Sequence, residues 1–144
     1  MAVIGYDPLS IIQIQDSGSA SIASGANSAV MTVGGTTTIF NNNSQQCYVA
    51  NGVITFTFAT APVAGTVLEL HAQTSMDGTT WTDLDQSIGY LTGVTCRAIT
   101  TLQTEPLTFI LYPVQYKFWL YNATGQTVSA GWTLSILPSK NQAV

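Results

Sequence analysis

The chain has 144 residues, 46% of them hydrophobic and only 7% charged, and seven acids against three bases give a net charge of −4. A soluble domain usually carries roughly a quarter charged residues, so this exterior must be built from Ser, Thr, Asn, Gln, Gly and apolar groups. Lys117, Lys140 and Arg97 are too few to neutralise a nucleic-acid backbone or to hold an anionic membrane surface, which excludes both as direct partners.

The length suits one domain with its own core. The start, MAVIGYDPLS, lacks a basic segment followed by an apolar one, so no signal peptide is expected and synthesis in the cytoplasm is. No run approaches the roughly 18 apolar residues of a membrane span. Ile4 and Tyr6, in the opening segment Met1–Pro8, are candidate contact residues. Strand character begins at Leu9–Gln15. Asp16–Ser28, DSGSASIASGANS, is rich in Gly, Ser and Ala with Ile22 as its one large apolar side chain, which predicts a flexible arm or loop whose contact residue is Ile22.

Ala29–Val33 and Thr36–Asn41 read as strands, followed by a polar loop, NNNSQQ, at Asn41–Gln46. Asn51-Gly52 reads as a hairpin turn. In Gly52–Ala59 the residues Ile54, Phe56 and Phe58 share one face, opposite Val53, Thr55 and Thr57, the alternation of an antiparallel strand with one buried side. Thr66–Thr74 follows, with Glu69 and His71 as neighbours on its outward face. A Glu–His pair suits acid–base work, but a surface pair is the expectation here, because no nucleophile or oxyanion donor accompanies it. Asp77-Gly78 reads as a hairpin turn into a strand at Thr80–Asp83. Asp77, Asp83 and Asp85 lack the loop pattern of a calcium site and read as turn residues bonding their own backbone.

Val94–Thr101 and Leu107–Leu111 precede Gln115–Asn122, a strand apolar on both faces: Tyr116, Phe118 and Leu120 on one, Trp119 and Tyr121 on the other. The second face needs cover from a loop, a strand or another subunit, so Trp119 and Tyr121 are the leading candidates for a ligand or subunit contact. A Thr124-Gly125 turn is expected to close a hairpin onto Thr127–Leu137, where Val128, Ala130, Trp132, Leu134 and Ile136 point inward. Pro138–Val144 reads as a short tail. Cys47 and Cys96 are too far apart for a metal pair, and free buried thiols are favoured over a disulfide.

Many short strands at regular spacing predict an all-β, antiparallel β-sandwich or jelly roll, with a closed small barrel as the other architecture. No nucleophile elbow, phosphate loop or metal-ligand spacing is present, so no enzyme activity, no cofactor and no metal are expected.

The stretch LELHAQTSMDGTTWTDL, Leu68–Leu84, resembles a hairpin of β-sandwich proteins in tailed-phage virions, in which a strand ends in S-x-D-G and resumes with T-W-x-x-L. QYKFWLYNATGQTVSAGWTLSIL, Gln115–Leu137, is similar to the closing hairpin of that class. Size, low charge and the Gly/Ser-rich arm resemble small capsid decoration (cement) proteins, which sit on the shell, often as trimers. The resemblance implies a virion location, with the major capsid protein and further copies of this chain as partners. A tail, baseplate or fibre module binding carbohydrate or a host receptor is the alternative it leaves open.

Overall fold

The computed structural model describes residues 4–8, 12–14, 19–35 and 37–143, and the side chains of residues 14, 19–35 and 37–140. It contains β1 (Ile4–Pro8), β2 (Ile12–Gln13), β3 (Phe40–Asn41), a single helical turn α1 (Asn42–Gln45), β4 (Val49–Phe56), β5 (Val67–Ser75), β6 (Tyr90–Thr95), β7 (Gln103–Ile110), β8 (Gln115–Asn122) and β9 (Thr133–Ala143).

The strands form two antiparallel sheets. One has the order β1-β9-β4-β7, with β2 also on β9, and the other has the order β3-β8-β5-β6. This is the strand order of a jelly roll. Among the described strands, β5 and β6 are the one consecutive pair that are also neighbours in a sheet; every later connection passes from one sheet to the other. The all-β antiparallel sandwich predicted from strand spacing is what the chain adopts.

Alternation explains the core. Ile54, Phe56 and Phe58 are all buried, as are Trp132, Leu134 and Ile136 from β9 and the segment before it. They meet Leu68, Leu70, Phe118 and Leu120 of the facing sheet in one apolar cluster. Cys47 and Cys96 are buried in that cluster and are not joined in a disulfide.

Several local expectations are overturned. Asn51-Gly52 is not a turn but lies inside β4, with Gly52 opposite both Leu107 and Ile136. The glycine serves close approach: a Cβ there would sit 2.6 Å from the Ser135 carbonyl oxygen of β9. Gln115–Asn122 and the last strand form no hairpin, because β8 and β9 belong to different sheets. Ala130-Gly131 turns the chain before β9 starts, leaving Ala130 exposed. Nor is Pro138–Val144 a tail, since β9 continues through Ala143 and pairs with β1. Pro138 falls between the stretches of β9 that pair with β2 and with β1, where its missing N–H interrupts no ladder on that side.

The predicted flexible arm is tied down over residues 19–28; residues 16–18 lie outside the described ones. Ile22 exchanges backbone hydrogen bonds with Val128, and Trp132 Nε1–H donates to the Ala20 carbonyl at 3.0 Å. Small residues serve here because the segment runs edge-on along β8: Ser28 N–H donates to Leu120 and Met31 N–H to Phe118. The polar NNNSQQ loop is also anchored. Asn42 is fully buried, donating from Nδ2 to the carbonyls of Cys47 and Tyr112 at 2.8 and 2.7 Å and accepting from Cys47 N–H at 2.8 Å. Buried amides satisfied in this way stabilise a loop that lacks apolar weight.

Candidate functional site: two outer sheet faces

The outer face of the β5–β8 sheet carries the aromatic residues singled out by the sequence. Trp119 does point away from the core, as its register requires, and it stands outside the core cluster. Yet it is 0% exposed. That overturns its assignment as an open contact residue. The cover comes from the chain itself. His71, its register partner on β5, stacks against the indole at 4.5 Å between centroids and 21° between planes. Tyr90 and Tyr121 meet the imidazole edge-on at 5.6 and 6.4 Å.

His71 is buried too, contrary to the surface pair expected. A bulge places it: pairing with β6 passes from Leu70–Thr92 to His71–Tyr90, leaving Leu91 as the extra residue. Its Nδ1 lies 3.0 Å from the Ile88 carbonyl, and its Nε2 lies 2.7 Å from Glu69 Oε2. A carbonyl oxygen can only accept, so Nδ1 carries a hydrogen, and the Nε2 contact needs a further proton between ring and carboxylate. This polar pair is satisfied and structural: it fastens the 84–89 segment over the sheet. Among the described residues, Trp119 Nε1 is the one buried side-chain polar atom without a hydrogen-bond partner.

The loop from Met76 to Gly89 folds back along β5. Thr82 N–H donates to the Thr74 carbonyl, Thr74 N–H donates to Thr82 Oγ1, and Gln73 Nε2–H donates to the Thr82 carbonyl at 2.7 Å. Its start is organised by Asp77, as expected of a turn aspartate. Oδ1 accepts from Thr80 N–H, Thr79 N–H and Ser75 Oγ–H, and Oδ2 accepts from Thr80 Oγ1–H. The Thr80 and Thr79 amides, then the Ser75 hydroxyl, hold its carboxyl well below the ordinary carboxylate range. Asp85 is lowered likewise by Ser87.

This fold-back leaves a groove of about 530 Å³ beside β5, lined by Thr74, Met76, Asp77, Trp81, Thr82 and Val114 among others. A second recess of about 220 Å³ shares Thr74 and Thr82 with it and continues to Tyr90 and Tyr112. Trp81 is half-buried, with Lys117 Nζ 4.1 Å from its ring centroid. Tyr90 and Tyr112 are 57% and 66% exposed. Neither tyrosine was singled out by the sequence; both lie at strand ends, where alternation carries no orientation signal.

The opposite outer face is the second candidate. On β4 it presents Val49, Asn51, Val53 and Thr55, on β7 Thr104, Pro106, Thr108 and Ile110, paired across the ladder. On β9 it continues through Thr133, Ser135 and Leu137. Among the described side chains, none on the outer face of these three strands is charged, and Val53 and Ile110 are 45% and 54% exposed. The sequence placed a strand here only from Leu107 to Leu111, short of Thr104 and Pro106, and nothing in it said that this strand lies beside β4.

Of the remaining predicted contact residues, Tyr121 is partly buried, edge-on to His71 and bridged to Asn27. Ile22 is a buried core residue rather than an arm contact, because its strand-like pairing with Val128 turns it inward. Ile4 and Tyr6 lie on β1, paired with Ala143 and Asn141, and their side chains fall outside the described ones. Among the described residues, no helix is long and apolar enough to cross a membrane, and no three His, Cys, Asp or Glu side chains gather as for a metal ion.

No protein-family model matches this chain, and a search of curated proteins finds no match.

Proposed function

We propose that this protein is a virion structural protein, a capsid decoration protein that binds the phage shell and associates with further copies of itself. The observation that carries this reading is the uncharged outer face of β9, β4 and β7, with Val53 and Ile110 open on it. Interface cores are depleted of Lys, Glu and Asp, and this face has none. The jelly roll is shared by viral capsid and lectin domains, an argument from fold alone.

Size decides how such a face would work. Three strands about 4.8 Å apart and about eight residues long span roughly 14 by 27 Å, a footprint of about 400 Å². A stable interface buries about 800 Å² per partner. One such contact is therefore weak, and repetition around a lattice is what makes it hold. That is the regime of a shell-bound clamp rather than of a lone dimer.

The test is light scattering on the isolated protein together with co-sedimentation on phage shells. Self-association or shell binding is expected for the natural chain, and Val53→Lys with Ile110→Lys should abolish it while leaving the far-ultraviolet circular dichroism unchanged. A monodisperse monomer that fails to sediment with shells overturns the reading. A tail, baseplate or fibre position would show self-association without affinity for the shell.

A further inference from the structure

We propose that the groove running from Trp81 to Tyr112 along β5 binds a neutral oligosaccharide. This site is on the sheet opposite the uncharged face and does not depend on the assembly reading. Three observations carry it. The first is shape: two recesses, about 530 and 220 Å³, lie beside each other along β5, with Thr74 and Thr82 in the walls of both. Adjacent recesses suit successive rings of a chain better than one small molecule.

The second is the chemistry of the lining. Flat rings stand at both ends: Trp81, half-buried and with one face under Lys117, at one, and the exposed Tyr90 and Tyr112 at the other. Sugar rings present axial C–H groups that pack on aromatic faces, and their hydroxyls need partners that both give and accept hydrogen bonds. Between the rings lie Thr74 and Thr82. The Thr82 hydroxyl accepts from Thr74 N–H, which leaves its own O–H to give. Asp77 Oδ2 accepts one hydrogen bond, from Thr80, and keeps a lone pair.

The third is charge. Among the described residues, Asp77 is the one charged residue that lines either recess, and neither lining includes a Lys or Arg, with Lys117 placed over the Trp81 ring. An anionic chain meets the Asp77 carboxylate in the lining itself, so sialylated, sulfated or phosphorylated chains are disfavoured relative to neutral ones. Hydrogen bonds within the chain fold the loop onto β5 and close the Asp77 turn, and a loop tied down in this way lowers the ordering cost of binding.

The experiment is an array of neutral and acidic glycans probed with the full chain, followed by titrations of malto-, cello- and chito-hexaose read by tryptophan fluorescence. Binding is expected to neutral glycans, hexasaccharides more tightly than disaccharides. Trp81→Ala should weaken binding at least tenfold with an unchanged circular dichroism spectrum, Trp81→Phe should recover most of it, and Tyr112→Ala should affect hexasaccharides more than disaccharides. The proposal is overturned if no neutral glycan binds, if only acidic glycans bind, or if Trp81→Ala binds as the natural chain does. It is also overturned if Trp81→Ala alters the oligomeric state alone, which would make the groove a subunit contact.

Discussion

Replacing His71 tests whether the outer face of the β5–β8 sheet is a second buried layer or a decorated surface. His71→Ala removes the ring stacked on Trp119, both hydrogen bonds at 3.0 and 2.7 Å, and the fastening of Ile88. Hydrogen bonds to charged groups contribute about 1.5–3 kcal/mol, and an aromatic pair about 0.5–1.5 kcal/mol. These terms overlap with the cost of the cavity, about 3–5 kcal/mol for a large ring cut to Ala. The expected loss is therefore about 3–5 kcal/mol, or about 10 °C or more in Tm for a chain of this size. Glu69→Gln keeps the shape and one hydrogen bond while discarding the charge, and should cost about 1 kcal/mol. The assay is urea unfolding followed by circular dichroism and by tryptophan fluorescence, whose emission should shift to the red in His71→Ala as Trp119 meets water. A loss below about 0.5 kcal/mol, the range of surface substitutions, with unshifted emission, would refute the account of a sealed face.

Asp77 should make stability fall in acid. Its folded pKa is depressed, so its contribution is present above the unfolded value of about 3.9 and lost as pH falls below it. Asp77→Asn should flatten the decline in Tm between pH 5 and pH 2, and an unchanged pH profile would contradict the hydrogen bonds assigned to its turn. Burial pushes the Cys96 thiol up to about 11. Stability from this group is intact below the ordinary thiol value of about 8.5 and is lost as pH rises toward 11; in native protein at pH 8 neither Cys96 nor Cys47 should react with iodoacetamide, and both should react in urea. Gly52→Ala drives a methyl group to 2.6 Å from the Ser135 carbonyl and should cost about 1–3 kcal/mol by forcing β4 from β9. A stability within experimental error of the natural chain would show that the two strands do not approach so closely.

The sequence by itself determined the fold class and much of the core. Period-2 alternation in Ile54, Phe56 and Phe58 and in Trp132, Leu134 and Ile136 is a local property of the backbone, since successive side chains must point to opposite faces. The same rule placed Trp119 opposite the core, and the Ser-x-Asp-Gly turn was legible because Asp77 bonds its own neighbours. What it could not determine was which strands lie side by side. In a jelly roll the neighbours of β4 are β7 and β9, more than forty residues on. That pairing let Asn51-Gly52 sit mid-strand, drew Pro138–Ala143 into the sheet, turned Ile22 into core and left an uncharged face on three strands. Tertiary structure also decided the fate of Trp119. A bulge at Leu91 and a loop folded from Met76 to Gly89 bring His71 and its partners over the indole, so the face was covered by its own chain, leaving Tyr90 and Tyr112 exposed and Trp81 half-buried. Local patterning sets which way a side chain points; what covers it depends on contacts made far along the chain.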